Sequence, residues 1–224
     1  ADAVTNTTLL TFTGQLGEEG LSVRLYDRTL DWNMGSADVS GTQFDLQTVM
    51  PVAGPHEIDV IVSDAAGNQI TSSIAVQIDP SSPVIGALEN VPAGLTTQPV
   101  EYIDVVFSEP IAPTSFDATD ITLTRDGTPV AVEAGPAAAS DVSITPIDAR
   151  TFRISGLSGL TGQFGSYELT VDASGVLDIA GNAGIDALAA SWRVVPDTIP
   201  PIVTGVEIQN AQTQRYYINT LTLS

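Results

Sequence analysis

With 224 residues, 27 Asp and Glu against seven Arg, and no Lys, the chain carries a formal charge of −20. That charge repels nucleic-acid phosphates and excludes a nucleic-acid partner, and the absence of cysteine excludes a disulfide scaffold and zinc–thiolate sites. An apolar content of 43% is ample for packed cores, so the acidity points to cation partners and not to disorder.

No apolar run approaches the length that spans a bilayer, which excludes membrane insertion through a helix. No charged-then-apolar leader stands at Ala1, so the chain reads as a soluble mature form or an excised piece.

Strands are expected almost throughout. Gly and Pro, 19 and 14 in number, break the apolar runs at short intervals, as a sandwich of short antiparallel strands requires. Phe12-Thr13-Gly14 and residues 21–27 open the pattern. Residues 27–50, with Trp32, Asn33 and Met34, fit it loosely and are read as an insertion. Residues 56–63 and 167–172 alternate apolar with polar side chains, the period of a strand with one face in a core. Residues 133–148, rich in Ala and Pro, read as a second insertion, and Trp192 in the alternating run 190–194 reads as core. Nothing shows a capped 3.6-residue period, so helix is limited to single turns.

Two punctuation marks divide the chain. Asp79-Pro80-Ser81-Ser82-Pro83 and Asp197-Thr198-Ile199-Pro200-Pro201 share Asp-x-x-x-Pro, and β-patterned segments of similar sequence follow each. Residues 83–88 match residues 201–206, and the run to Ser108 matches the run to Ser224. Modules are therefore placed at 1–79 and 80–196, with 197–224 beginning a third, incomplete module or forming a donor-strand tail.

These residues carry a resemblance. Phe12-Thr13-Gly14, residues 21–27, residues 54–68 and the closing Val76-Gln77-Ile78-Asp79-Pro80 resemble the bacterial immunoglobulin-like, cadherin-like tandem repeats of large secreted and surface adhesins. Residues 105–110, 116–121 and 167–182 are similar to a larger variant of the same repeat. The resemblance implies an all-β chain of tandem immunoglobulin-like antiparallel β-sandwiches, outside the cell or on its surface. It also implies calcium at the junctions between modules.

The motif Asp-x-Ala-Gly-Asn occurs at 64–68 and 178–182. Taken alone, each is satisfied as a tight turn in which the Asp accepts backbone N–H groups and Gly supplies a positive φ. Sandwich topology adds a second reading for the later copy. The loops after the second and the penultimate strands lie at the end where the chain enters. Glu109 and Asp178 should therefore converge on the linker that carries Asp79. Carboxylates so gathered repel one another unless a cation neutralises them, and oxygen ligands without His or Cys select calcium. The metal ligands are thus Asp79, Glu109 and Asp178, with Asn182 adding an oxygen, and Asp197 serving the next junction with ligands beyond Ser224. Solvated loop acids are the competing reading.

No catalytic constellation is present. His56, the single histidine, is read as a surface or strand-edge residue, and no serine sits in a Gly-x-Ser-x-Gly elbow. An aromatic content of 6% suggests no stacking cleft for a sugar. Trp32 is assigned to packing, Tyr167 to the tyrosine corner that opens the penultimate strand, and Asn6-Thr7-Thr8 is an unremarkable Asn-x-Thr triplet. The sequence thus describes a non-enzymatic structural or adhesive region. Its partners are neighbouring modules, other copies of the protein, or a surface carbohydrate or protein receptor. Two alternatives stay open. One is a filament, sheath or surface-layer subunit that exchanges strands through residues 202–224; the other is a carbohydrate- or protein-binding accessory module of a secreted enzyme, with contact loops at 27–50 or 109–120.

Overall fold

Alternating apolar and polar residues become strands along residues 3–132 and 142–205, the part of the chain that the computed structural model describes. The first eight strands are β1 (Ala3–Thr5), β2 (Leu9–Gln15), β3 (Ser22–Asp27), β4 (Trp32–Ser36), β5 (Asp38–Ser40), β6 (Gln43–Val49), β7 (Gly54–Ser63) and β8 (Gln69–Ile78). They form two facing sheets, β1-β8-β7-β3-β4 and β2-β6-β5. One phase of each strand turns inward, and Val23, Leu25, Met50, Ile58 and Ile78 meet between the sheets with at most 2% of their surface exposed. Each such side chain removed from water stabilises the fold by about 1.5–3 kcal/mol. Gly14 lies opposite Phe44 on β6, and a Cβ there would fall 2.3 Å from the ring. Only glycine lets the aromatic lie across the strand.

Two expectations are corrected here. Residues 27–50 are not an insertion: they hold β4, β5 and β6, and Met34 and Met50 line the core. Their pattern is blurred because the β3–β4 register shifts between Leu25 and Tyr26, which breaks the alternation. His56 is not at the surface. It shares the inward phase of β7 with Ile58 and is 3% exposed. Its burial is tolerated because both ring nitrogens are bonded: Nδ1 lies 2.6 Å from Asp27 Oδ2 and Nε2 lies 2.9 Å from the Val52 carbonyl oxygen. Asp27 is itself fully buried, and its Oδ1 accepts the N–H groups of Thr29 and Leu30.

The second sandwich comprises β9 (Ile85–Glu89), β10 (Leu95–Thr96), β11 (Tyr102–Phe107), β12 (Ile121–Arg125), β13 (Thr128–Val130), β14 (Ser143–Pro146), β15 (Thr151–Ser155), β16 (Gly165–Asp172) and β17 (Ala187–Val194). The sheets are β14-β15-β11-β9 and β10-β17-β16-β12-β13. The chain thus pairs β9 antiparallel to β11, then crosses to lay β10 parallel to β17, the switching first strand of an immunoglobulin-like sandwich. The second stretch read as an insertion contains β14 over part of its length, while residues 133–141 lie outside the described residues.

Phe107, Phe116 and Phe152 meet edge to face at 5.4–6.1 Å in this core. Tyr167 is buried as its corner position requires: its hydroxyl donates to the Gln163 carbonyl at 2.8 Å and its ring stacks on Trp192 at 5.6 Å. Helix among the described residues is one turn, Ser158–Thr161, and two shorter 3-10 turns. No helix there is long and apolar enough to cross a membrane.

Candidate metal centre

The linker from β8 to β9 is held at both ends by backbone bonds. The Asp79 N–H continues the β1–β8 ladder by donating to Thr5, and Val84 and Ser108 join the far end of the linker to the loop after β11. The N–H of Ile185 donates to the Pro83 carbonyl, which brings in the loop between β16 and β17. Ile111 and Asp178 form an isolated β-bridge, so the two loops are also pinned to each other. Three segments far apart in sequence therefore end at one place.

Each contributes a carboxylate. Asp79 from the linker, Glu109 from the loop after β11 and Asp178 from the β16–β17 loop offer oxygens that lie within 4.8 Å of one another. Asp178 is buried, and the other two are half-buried. Withdrawal from water pushes the Glu109 carboxyl above the ordinary glutamate range, and the charges of Asp79 and Asp178 push it further, against an opposing pull from Arg150. The sites that gain most from a neutralising cation are those where acids already resist ionisation together.

Asn182 orders this cluster through its side-chain N–H groups. Its Nδ2 donates to the Asp79 carbonyl at 2.7 Å and to Asp178 Oδ2 at 2.8 Å, and its own carbonyl accepts the Asp178 N–H at 3.0 Å. Asp178 Oδ1 accepts the N–H groups of Ala180 and Asn182. Asn182 is thus a positioning residue that aims Asp178 and anchors the linker. The 64–68 copy repeats the same bonds, with Asn68 Nδ2 on Asp64 Oδ2 at 2.7 Å and the Asn68 N–H on Asp64 Oδ1 at 2.9 Å. There the turn stands exposed, and among the described residues no group of three metal-ligating side chains forms around it. The motif by itself is a turn; the linker and the Glu109 loop make the later copy different.

Asp197 lies outside any such cluster among the described residues, and its Oδ1 accepts the Ile199 N–H at 2.9 Å in a local turn. Arg150, which sequence reasoning did not single out, reaches the Ser108 carbonyl beside Glu109. Nothing in its sequence position announces that contact across 42 residues.

The donor set is all oxygen. Calcium takes six to eight oxygens at about 2.3–2.6 Å, so atoms up to 4.8 Å apart can share one such ion. The residues present fit calcium, and the absence of His or Cys from the cluster argues against zinc or copper.

No protein-family profile matches the chain, and no curated protein matches it. Among solved structures it is similar to fibronectin(III)-like modules of Clostridium thermocellum CbhA, with 11% identity over 88% of this chain and 89% of that one and a TM-score of 0.34. It is also similar to a chimeric titin Z1Z2 tandem, with 12% identity over 88% and 94% and a TM-score of 0.28. The Ig1-2 module of the Drosophila receptor tyrosine phosphatase DLAR gives 11% identity over 88% and 94%, with a TM-score of 0.29. Likenesses this slight identify no family, ligand or partner. The immunoglobulin-like tandem fold stands on the sheet topology described above.

Proposed function

We propose that this chain is a non-enzymatic structural or adhesive repeat region of an extracellular or cell-surface protein, in which calcium held by Asp79, Glu109 and Asp178 stiffens the junction between two sandwiches. The observation that supports this reading is the meeting of three carboxylates, within 4.8 Å, where the linker enters the second sandwich. A spacer needs its modules held at a set angle, and a linker carboxylate bound together with two loop carboxylates supplies that constraint. A cation that favours the joined geometry shifts the population toward it by its differential affinity for the two states. Asn182 holds Asp178 and the Asp79 carbonyl in place for this purpose. The non-enzymatic reading is supported by His56, whose ring nitrogens are both committed inside the first core.

Calorimetric titration of the chelator-treated protein with calcium tests the reading. One site is expected, weakened at least about tenfold, or 1.4 kcal/mol, by Glu109→Gln or Asp178→Asn and unchanged by Asp64→Asn. Absence of binding at millimolar calcium, or binding indifferent to Glu109→Gln and Asp178→Asn, contradicts it.

A further inference from the structure

The loop that carries Glu109 is gripped by a second turn, the one between β14 and β15. On one side of Glu109 the Phe107 N–H donates to the Arg150 carbonyl at 2.9 Å, and on the other the Ile111 N–H donates to the Ala149 carbonyl at 3.1 Å. Asp148 sets the shape of that turn, its Oδ1 accepting the N–H groups of Arg150 and Thr151 at 2.8 Å each. An Asx turn of this kind fixes the backbone from which the Arg150 side chain leaves. The guanidinium Nη2 then donates to the Ser108 carbonyl, the peptide oxygen next to Glu109. Ser108 is itself held, since its N–H donates to the Val84 carbonyl and its hydroxyl accepts the Val84 N–H. Both the cation and the loop that it reaches are therefore anchored by backbone bonds.

This arrangement places a fixed positive charge beside three acids. Among the described residues, Arg150 is the one cation whose charge opposes the upward push on the Glu109 carboxyl. Arg28 is paired with Glu57 and Asp59 instead, and Arg153 with Asp104. Carboxylates that are partly withdrawn from water and face one another gain from any nearby opposite charge. The affinity of an all-oxygen site for calcium depends on the net charge of its ligands and on its rigidity. A guanidinium at the rim acts on both states of the site. It favours the acids while no ion is bound, and it repels a divalent ion that enters.

We infer that Arg150 is the resident counter-cation of Asp79, Glu109 and Asp178, and that calcium works against it, so that this side chain sets the calcium level at which the junction stiffens. The competition with calcium rests on the function proposed above; the counter-cation role does not.

Two substitutions separate charge from structure. Arg150→Gln removes the charge and keeps an amide N–H, whereas Arg150→Lys keeps the charge. In calorimetric titration of the full chain, Arg150→Gln is expected to bind calcium about tenfold more tightly than wild type, and Arg150→Lys to stay within about threefold of it. A purely structural role would leave the affinity unchanged or weaken it in both variants. A double-mutant cycle in EDTA reads the counter-cation role without calcium. There Arg150→Gln should lower the folding constant of the second sandwich at least about twofold more in the wild-type background than in Glu109→Gln, the low end for coupled neighbours. Absence of that coupling overturns the inference even if calcium binds. Calcium affinity that Arg150→Gln leaves unchanged or weakens overturns the competition. Coupling in EDTA together with no calcium binding by any of the proteins would overturn the calcium reading and the competition, and would support the counter-cation role.

Discussion

Asn182 and Asp79 lie 103 residues apart, and the side-chain amide of one donates to the backbone carbonyl of the other at 2.7 Å. That bond ties the linker to the β16–β17 loop and leaves the Asp79 carboxylate free of it. Because Asn182 also closes the turn on Asp178, Asn182→Ala should destabilise the second sandwich by about 1–3 kcal/mol, the range for stranding partly buried polar partners. Asn68→Ala removes the equivalent turn bond in an exposed setting and should cost at most about 1 kcal/mol. Urea denaturation of the two variants provides the comparison, and equal costs would remove the distinction between the two turns.

Glu109 gives the junction a pH dependence in the absence of calcium. Its carboxyl titrates higher folded than unfolded, because burial and then the Asp79 and Asp178 charges disfavour ionisation. Stability from this group is present below the ordinary glutamate range and is lost as pH rises through the raised folded value. Other carboxyls here are shifted the opposite way, Asp117 and Asp172 among them, so the informative quantity is a difference. Wild type minus Glu109→Gln, followed by melting temperature in EDTA, should decline as pH rises above the ordinary glutamate range. A difference that stays flat as pH rises would show that neither burial nor the Asp79 and Asp178 charges hold the Glu109 carboxyl up.

The buried Asp27–His56 pair holds the first core. Asp27→Ala strips the imidazole of its partner and orphans the N–H groups of Thr29 and Leu30, so a loss of about 3–5 kcal/mol is expected. The second hydrophobic cluster contains neither residue, so its unfolding transition should hardly move. Calorimetry resolving two transitions reads both effects at once; a shared shift would mean that the sandwiches unfold as one.

Tyr167→Phe keeps the stack on Trp192 and loses only the bond to the Gln163 carbonyl. About 1 kcal/mol of stability should go with it, measured by chemical denaturation. A negligible change would reduce this corner to its ring packing.

Strand phase was legible wherever one face is fully buried. Residues 167–172 alternate cleanly because Tyr167, Leu169 and Val171 all enter the core, and the meeting of the two loops at the linker followed from sandwich topology. Residues 27–50 hid their strands because β6 is half-buried throughout its inward phase and β3 slips register against β4. The spacing of His56 from Ile58 does signal an inward position, against the expectation of a surface or strand-edge residue. What a sequence does not display is Asp27, 29 residues away, which makes a buried histidine acceptable. The bond from Asn182 to the linker is not displayed either, since it depends on the Asp79 carbonyl 103 residues away.

Calcium is expected to stiffen the junction through Asp79, Glu109 and Asp178. Small-angle scattering of the full chain in millimolar calcium and in EDTA, with melting temperature followed in parallel, tests it most directly. Calcium should narrow the distribution of maximum dimensions and raise the melting temperature, by about 2.7 kcal/mol of stability at 100 times the dissociation constant, and at the same calcium concentration a tenfold weakening by Glu109→Gln should cut that gain to about 1.4 kcal/mol or less. Profiles and melting temperatures that coincide in calcium and EDTA, or a calcium response that Glu109→Gln and Asp178→Asn leave undiminished, would contradict it.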